Sequence, residues 1–137
     1  MTYELLPTTT LAGAVTGSLS DQTSTRRPYV SAMIKADFVR DGGGTTTDLY
    51  VQCSADRGAT WHDIANFHFT TSSLVRYVNL SGATAVTTPA ALTDGAITAN
   101  TSTDATLTKL FRVKYTTTGT YTGVSTAKVW MVTRDLA

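Results

Sequence analysis

The chain predicts an all-β domain: a β-sandwich of about seven or eight antiparallel strands, with jelly-roll connections as one wiring of them. Three observations lead there. About a fifth of the residues are threonine, whose branched Cβ suits a pleated, half-buried surface better than a helix. Apolar and polar residues alternate with period two in several segments, so each buries one face. Clusters of Gly, Asp, Asn, Ser and Thr punctuate these segments as turns, and no helical period competes. A chain of 137 residues is expected to fold as a single domain, 1–137, around its own core.

The elements follow in order. Met1–Leu11, with Tyr3, Leu5, Leu6 and Pro7, reads as an N-terminal arm that lies on a neighbouring molecule. Leu11–Leu19 is a weak strand, and the basic pair Arg26-Arg27 is a candidate grip on a partner's carboxylate or phosphate. Between Tyr29 and Arg40, the residues Val30, Ala32, Ile34, Ala36 and Phe38 share one face. A turn at Arg40–Thr45 leads to Leu49, Val51 and Cys53, which alternate with Asp48, Tyr50 and Gln52, so these two strands are expected to pair as a hairpin. Trp61–Phe69 carries Ile64, Phe67 and Phe69 on uneven parity, which predicts a bulge near Ala65-Asn66. Leu74–Leu80 is a further strand.

The long loop 81–108 has only Val86, Leu92, Ile97 and Leu107 as large apolar residues, and it far exceeds the usual connection of about four to six residues. It reads as a docking loop whose apolar residues meet a partner. Phe111, Val113 and Tyr115 then alternate with Arg112 and Lys114, and Ala127–Val132 is apolar on both faces apart from Lys128. The Gly- and Thr-rich segment Thr116–Gly123 between them predicts a final hairpin.

Ser54, Asp56, Gly58, Thr60 and Trp61 stand in the spacing Ser-x-Asp-x-Gly-x-Thr-Trp where two strand-like segments reverse. This resembles the Asp-box hairpin, best known from sialidase-like propellers and recurrent in unrelated β folds as a structural turn. The resemblance implies that Asp56 accepts backbone N–H bonds, Gly58 takes a positive φ and Trp61 folds over the turn. A sialidase needs several blades and an arginine cluster, for which this chain is too short.

Charged residues are only 15% of the chain and the net charge is +1, with basic residues scattered, so neither nucleic acid nor a membrane is expected as partner. Cys53 is the sole cysteine, which excludes an intramolecular disulfide framework and fits folding in a reducing cytoplasm. Neither a signal peptide nor a run of membrane-spanning length is expected from the sequence.

No catalytic constellation stands out. His62 and His68 flank Asp63, but six residues of extended strand separate them by about 20 Å, too far to share a metal. Cys53 and His62 become cross-strand neighbours through the hairpin, offering a thiol and a base without a third orienting group. Gly42-Gly43-Gly44 lacks the lysine and helix of a phosphate loop, and Asp41, Asp48, Asp56 and Asp63 lack calcium-loop spacing. No cofactor and no metal are expected, and an enzyme is the least favoured class.

Two longer segments carry a second resemblance. Ala36 to Gln52, continuing through Gly58-Ala59-Thr60-Trp61 and Asp63-Ile64-Ala65-Asn66-Phe67, and Phe111 to Tyr121, look like small virion proteins encoded in the structural-gene clusters of tailed bacteriophages and prophages. The resemblance implies a virion component made in the host bacterial cytoplasm and present in many copies. Within that class the expectation is a capsid decoration, or cement, protein whose partners are the major capsid protein and neighbouring copies of itself. The arm and loop, through Tyr3, Leu5, Leu6, Arg26, Arg27, Val86, Leu92 and Ile97, would be the contacts. A tail or head-to-tail connector component is the alternative within virions. A carbohydrate-binding module is the alternative of another class, with Tyr50, Tyr77, Tyr121 and Trp130 as a stacking platform.

Overall fold

The computed structural model describes residues 1–26, 29–103 and 107–134. Among these the regular elements are eleven strands: β1 (Thr2–Thr10), β2 (Ser18–Leu19), β3 (Thr23–Ser24), β4 (Ser31–Val39), β5 (Gly42–Gly43), β6 (Thr46–Ser54), β7 (His62–Phe69), β8 (Leu74–Ser81), β9 (Leu110–Thr118), β10 (Tyr121–Thr122) and β11 (Thr126–Arg134). One sheet runs β1-β11-β4-β8; the other runs β2-β9-β6-β7, with β3 also on β9. Every pairing is antiparallel.

Period-two alternation builds the core between the sheets. Ala32, Ile34, Ala36 and Phe38 of β4 and Ala127, Val129 and Met131 of β11 are buried with Leu49, Val51 and Cys53 of β6 and Phe111 and Val113 of β9. Phe38 stacks on Phe69 at 5.0 Å and meets the edge of Tyr121 at 5.6 Å, joining both sheets. Burying each large apolar side chain stabilises the fold by about 1.5–3 kcal/mol.

The N-terminal arm is corrected. Thr2–Thr10 is an edge strand of the first sheet, paired with β11 from Thr2 opposite Val132 to Thr10 opposite Thr126. Its register slips between Glu4 and Leu6, so Leu5 is an extra residue in a bulge. That kink turns two consecutive leucines inward, leaving Leu5 and Leu6 1% and 2% exposed. Neither is available to a partner. The expected strand Leu11–Leu19 shrinks to Ser18–Leu19; its first part crosses between sheets, with Leu11 N donating to Ser125 O at 2.8 Å.

Neither expected flanking hairpin forms. β4 and β6 lie in opposite sheets, as do β9 and β11, so Arg40–Thr45 and Thr118–Ser125 are crossovers. The two crossovers are fastened to each other where β5 pairs β10, Tyr121 opposite Gly43. Gly44 has a φ of 72° and passes so close to Tyr121 that a Cβ would fall 2.3 Å from its ring. The β6–β7 hairpin does form, with its bulge at Ile64, one residue before the predicted position. That slip sets Asp63, Asn66 and His68 opposite Gln52, Tyr50 and Asp48, all on the outer face.

Candidate functional site

The turn between β6 and β7 is closed by its own side chains. Ser54 Oγ accepts from Gly58 N at 2.7 Å and donates to Asp56 Oδ1 at 2.9 Å. Asp56 also accepts from Thr60 N at 2.8 Å and from the Thr60 hydroxyl. Bonds from the Thr60 hydroxyl and amide, then from Ser54, hold the Asp56 carboxyl down at about 2. Gly58 has a φ of 93°, and Trp61 Nε1 donates to Gly58 O at 3.2 Å.

From this turn a polar network crosses the outer face of the second sheet. The Arg112 guanidinium lies 4.4 Å from the Trp61 ring centroid, and Arg112 Nε donates to Gln52 Oε1 at 2.8 Å. Gln52 Nε2 donates to Asp63 Oδ1 at 2.8 Å and to Asp94 Oδ1 at 2.6 Å. Lys114 Nζ reaches the same Asp94 oxygen at 3.2 Å. Asp63, buried at 4% exposure, is the anchor of the long loop. It accepts from Thr93 Oγ1 at 2.8 Å, from Gly95 N and Ala96 N at 2.9 Å and from Ile97 N at 3.2 Å. Burial alone would raise its carboxyl, but the bonds from Gln52, Ala96, Gly95 and Thr93 outweigh it and hold it below the usual range.

The loop continues along the edge of β7. Asn66 N donates to Thr101 O at 3.0 Å, Thr103 N donates to Ile64 O at 2.9 Å, and Ala65 bridges Ser102. Beside it His68 Nδ1 lies 2.8 Å from Asp48 Oδ1. The expectation of a docking loop is therefore corrected for its second half: Ile97 is half-buried and its amide is held by this chain's own Asp63. Val86 and Leu92, in the first half, stay exposed. Residues 104–106 lie outside the described set.

The outer face of the first sheet has no such cover among the described residues. Cross-strand register sets Glu4, Trp130, Lys35 and Tyr77 in one row over β1, β11, β4 and β8. Val132, Met33 and Asn79 form the next row; Val39 and Val75 are exposed on the same side. Lys128 Nζ sits 4.8 Å from the Trp130 centroid, and Lys35 pairs with Asp37 at 3.4 Å.

The remaining sequence candidates separate. Tyr3 is half-buried and its hydroxyl accepts from the Arg26 amide at 3.3 Å; Arg26 itself is exposed. Arg27 lies outside the described residues. Cys53 and His62 are directly opposite on β6 and β7, but burial pushes the Cys53 thiol up to about 11, against weaker lowering by Thr108, so it is not an activated nucleophile. The four-aromatic platform is also corrected. Tyr121 is fully buried with its hydroxyl on Thr70 O at 2.8 Å, and Tyr50 faces out from the opposite sheet from Tyr77 and Trp130. Sequence reasoning missed Gln52, Asp63 and Arg112 as a connected group, because an outward polar residue on a strand carries no signal of what covers it. No family model, no curated protein and no solved structure matches the chain.

Proposed function

We propose that the protein is a structural component of a tailed-bacteriophage virion, a decoration protein bound to the outside of the major capsid shell. The observation that carries the reading is the unequal treatment of the two outer faces. One is closed by the chain's own loop through Asp63. The other leaves Tyr77, Val75 and Val132 exposed around a half-buried Trp130 on a four-stranded platform. An open face with an aromatic centre and a charged surround has the make-up of a protein-binding patch. The resemblance of residues 36–52, 58–61, 63–67 and 111–121 to small virion proteins supplies the partner class. With β1 built into the sheet, the shell contact falls to this platform and to Val86 and Leu92, and many modest contacts multiply with copy number.

The test is the copy number in purified particles. Hundreds of copies are expected for shell decoration; a ring of about six or twelve marks a tail or connector component instead. Presence in tails and absence from DNA-filled heads overturns the proposal. One observation keeps a second reading open: Trp130 and Tyr77 flank Lys35 in the same row, about 10 Å apart, a spacing that accommodates sugar rings. Glycan binding by the isolated protein that is lost on Trp130→Ala favours that module.

A further inference from the structure

Among the described residues, each edge of the two large sheets but one is blunted. β1 carries Pro7, which has no N–H, and two register shifts. β2 and β3 are two residues each, and the edge of β7 is capped by residues 101–103. β8 differs. It pairs with β4 through eight unbroken positions, from Phe38 opposite Leu74 to Ser31 opposite Ser81. It is the last strand of its sheet, and no other segment pairs with it among the described residues. Between Leu74 and Leu80 it holds no proline and one charged residue, Arg76. That residue does not guard the edge: its Nε donates to His68 O at 3.1 Å and its guanidinium lies over Phe69. Leu74, Val75 and Tyr77 are instead exposed, Tyr77 by 66%.

We propose that β8 is a self-association edge, and that two copies of this chain join by antiparallel β8–β8 pairing about a twofold axis through Tyr77. The strand is complementary to itself in that register. Opposed residues must share a face, so Tyr77 meets Tyr77 of the second copy, Val75 meets Asn79, Arg76 meets Val78 and exposed Leu74 meets Leu80. No like charges face each other. Moving the axis by one residue to Arg76 would oppose two guanidiniums. In the Tyr77 register the backbone groups left open on both edges satisfy one another, as in strand addition generally, and the interface is isologous. The two four-stranded sheets become one of eight strands, and the row Trp130–Lys35–Tyr77 continues across the axis. The inference does not rest on a virion role, because it concerns the isolated chain.

Sedimentation velocity on the full-length protein tests it. A dimer is expected at micromolar concentration. Tyr77→Lys, which opposes two ammonium groups on the axis, should weaken the dimer by about tenfold or more while leaving far-UV circular dichroism unchanged. Tyr77→Cys places two sulfurs on strands whose Cα atoms lie about 4.5–5.5 Å apart, so mild oxidation should link the copies. Val75→Cys should not, because its symmetry mate lies four residues further along, about 13 Å away. Buried Cys53 does not compete. A monomer at high micromolar concentration overturns the proposal, as does cross-linking at position 75 as fast as at 77.

Discussion

Replacing Asp63 by alanine removes one acceptor from five donors: Gln52 Nε2, Thr93 Oγ1 and the amides of Gly95, Ala96 and Ile97, at 2.8 to 3.2 Å. A hydrogen bond to a charged group contributes about 1.5–3 kcal/mol net. The five do not sum, because Thr93 and Ala96 are exposed and Gly95 and Ile97 half-buried, so the freed loop lifts and rehydrates its amides. Gln52, 0% exposed, keeps Asp94 as a second acceptor only while the loop stays down. The loss is then roughly that of one or two such bonds, about 3 kcal/mol, or about 10 °C of melting temperature for a domain of this size. Urea denaturation gives the stability change, and limited proteolysis shows where the chain opens. New cleavage is expected between residues 93 and 103, ahead of global unfolding. Asp63→Asn, which keeps the shape and turns an amide toward the loop N–H groups, should lose nearly as much. An Asp63→Ala protein with an unchanged urea midpoint and an uncleaved loop would refute the anchoring role.

Other consequences are equally direct. Gly44→Ala should cost about 3 kcal/mol or more, because its Cβ meets the buried Tyr121 ring at a φ that alanine resists; a near-native melt disproves the crossover fastening. Acid should destabilise the fold from about pH 4 downward. The Asp56 carboxyl is held at about 2 when folded and Asp63 is also lowered, whereas an unfolded aspartate titrates near 3.9. The unfolded chain therefore binds these protons first, and the stabilisation, complete above that value, is lost as pH falls through the folded one. A stability profile flat across this window contradicts it. Cys53, buried and pushed up to about 11, should react with Ellman's reagent at mildly alkaline pH only as fast as the protein unfolds; immediate labelling would mean the core is open.

The inward faces of β4, β6 and β9 were legible, since Ala32 to Phe38, Leu49 to Cys53 and Phe111 to Val113 each follow a strict two-residue period that only a half-buried strand produces. Pairing was not. Gly42-Gly43-Gly44 and Thr116–Gly123 carry hairpin turn chemistry, yet the chain uses both to change sheets, because Tyr121 packs against Gly44 and Phe38 and holds the two crossovers together. That contact spans nearly eighty positions and leaves no local trace. Leu5-Leu6 misled for a related reason: two adjacent leucines fit no alternation, and only a bulge against β11 buries both. Asp63 stood out only as a carboxylate between two histidines, because the residues that fold onto it, 93–97, lie far along the chain.

Arg112 ties the turn at Ser54–Trp61 to the long loop, and this coupling can be measured. Its guanidinium stacks on Trp61, its Nε donates to Gln52 Oε1, and its Nη2 lies 3.8 Å from Asp94 Oδ1. A planar fork can meet a ring face and two acceptors together; the single ammonium of lysine cannot. Arg112→Lys should therefore loosen residues 93–97 although the charge is retained, with cleavage appearing there as in Asp63→Ala. Because both changes act on Gln52, their effects should not add. A double-mutant cycle should return a coupling of about 0.5 kcal/mol or more, whereas independent sites add within that margin. Strict additivity would mean that Arg112 packs on Trp61 for the turn alone, and that the loop is held by Asp63 without help from the hairpin.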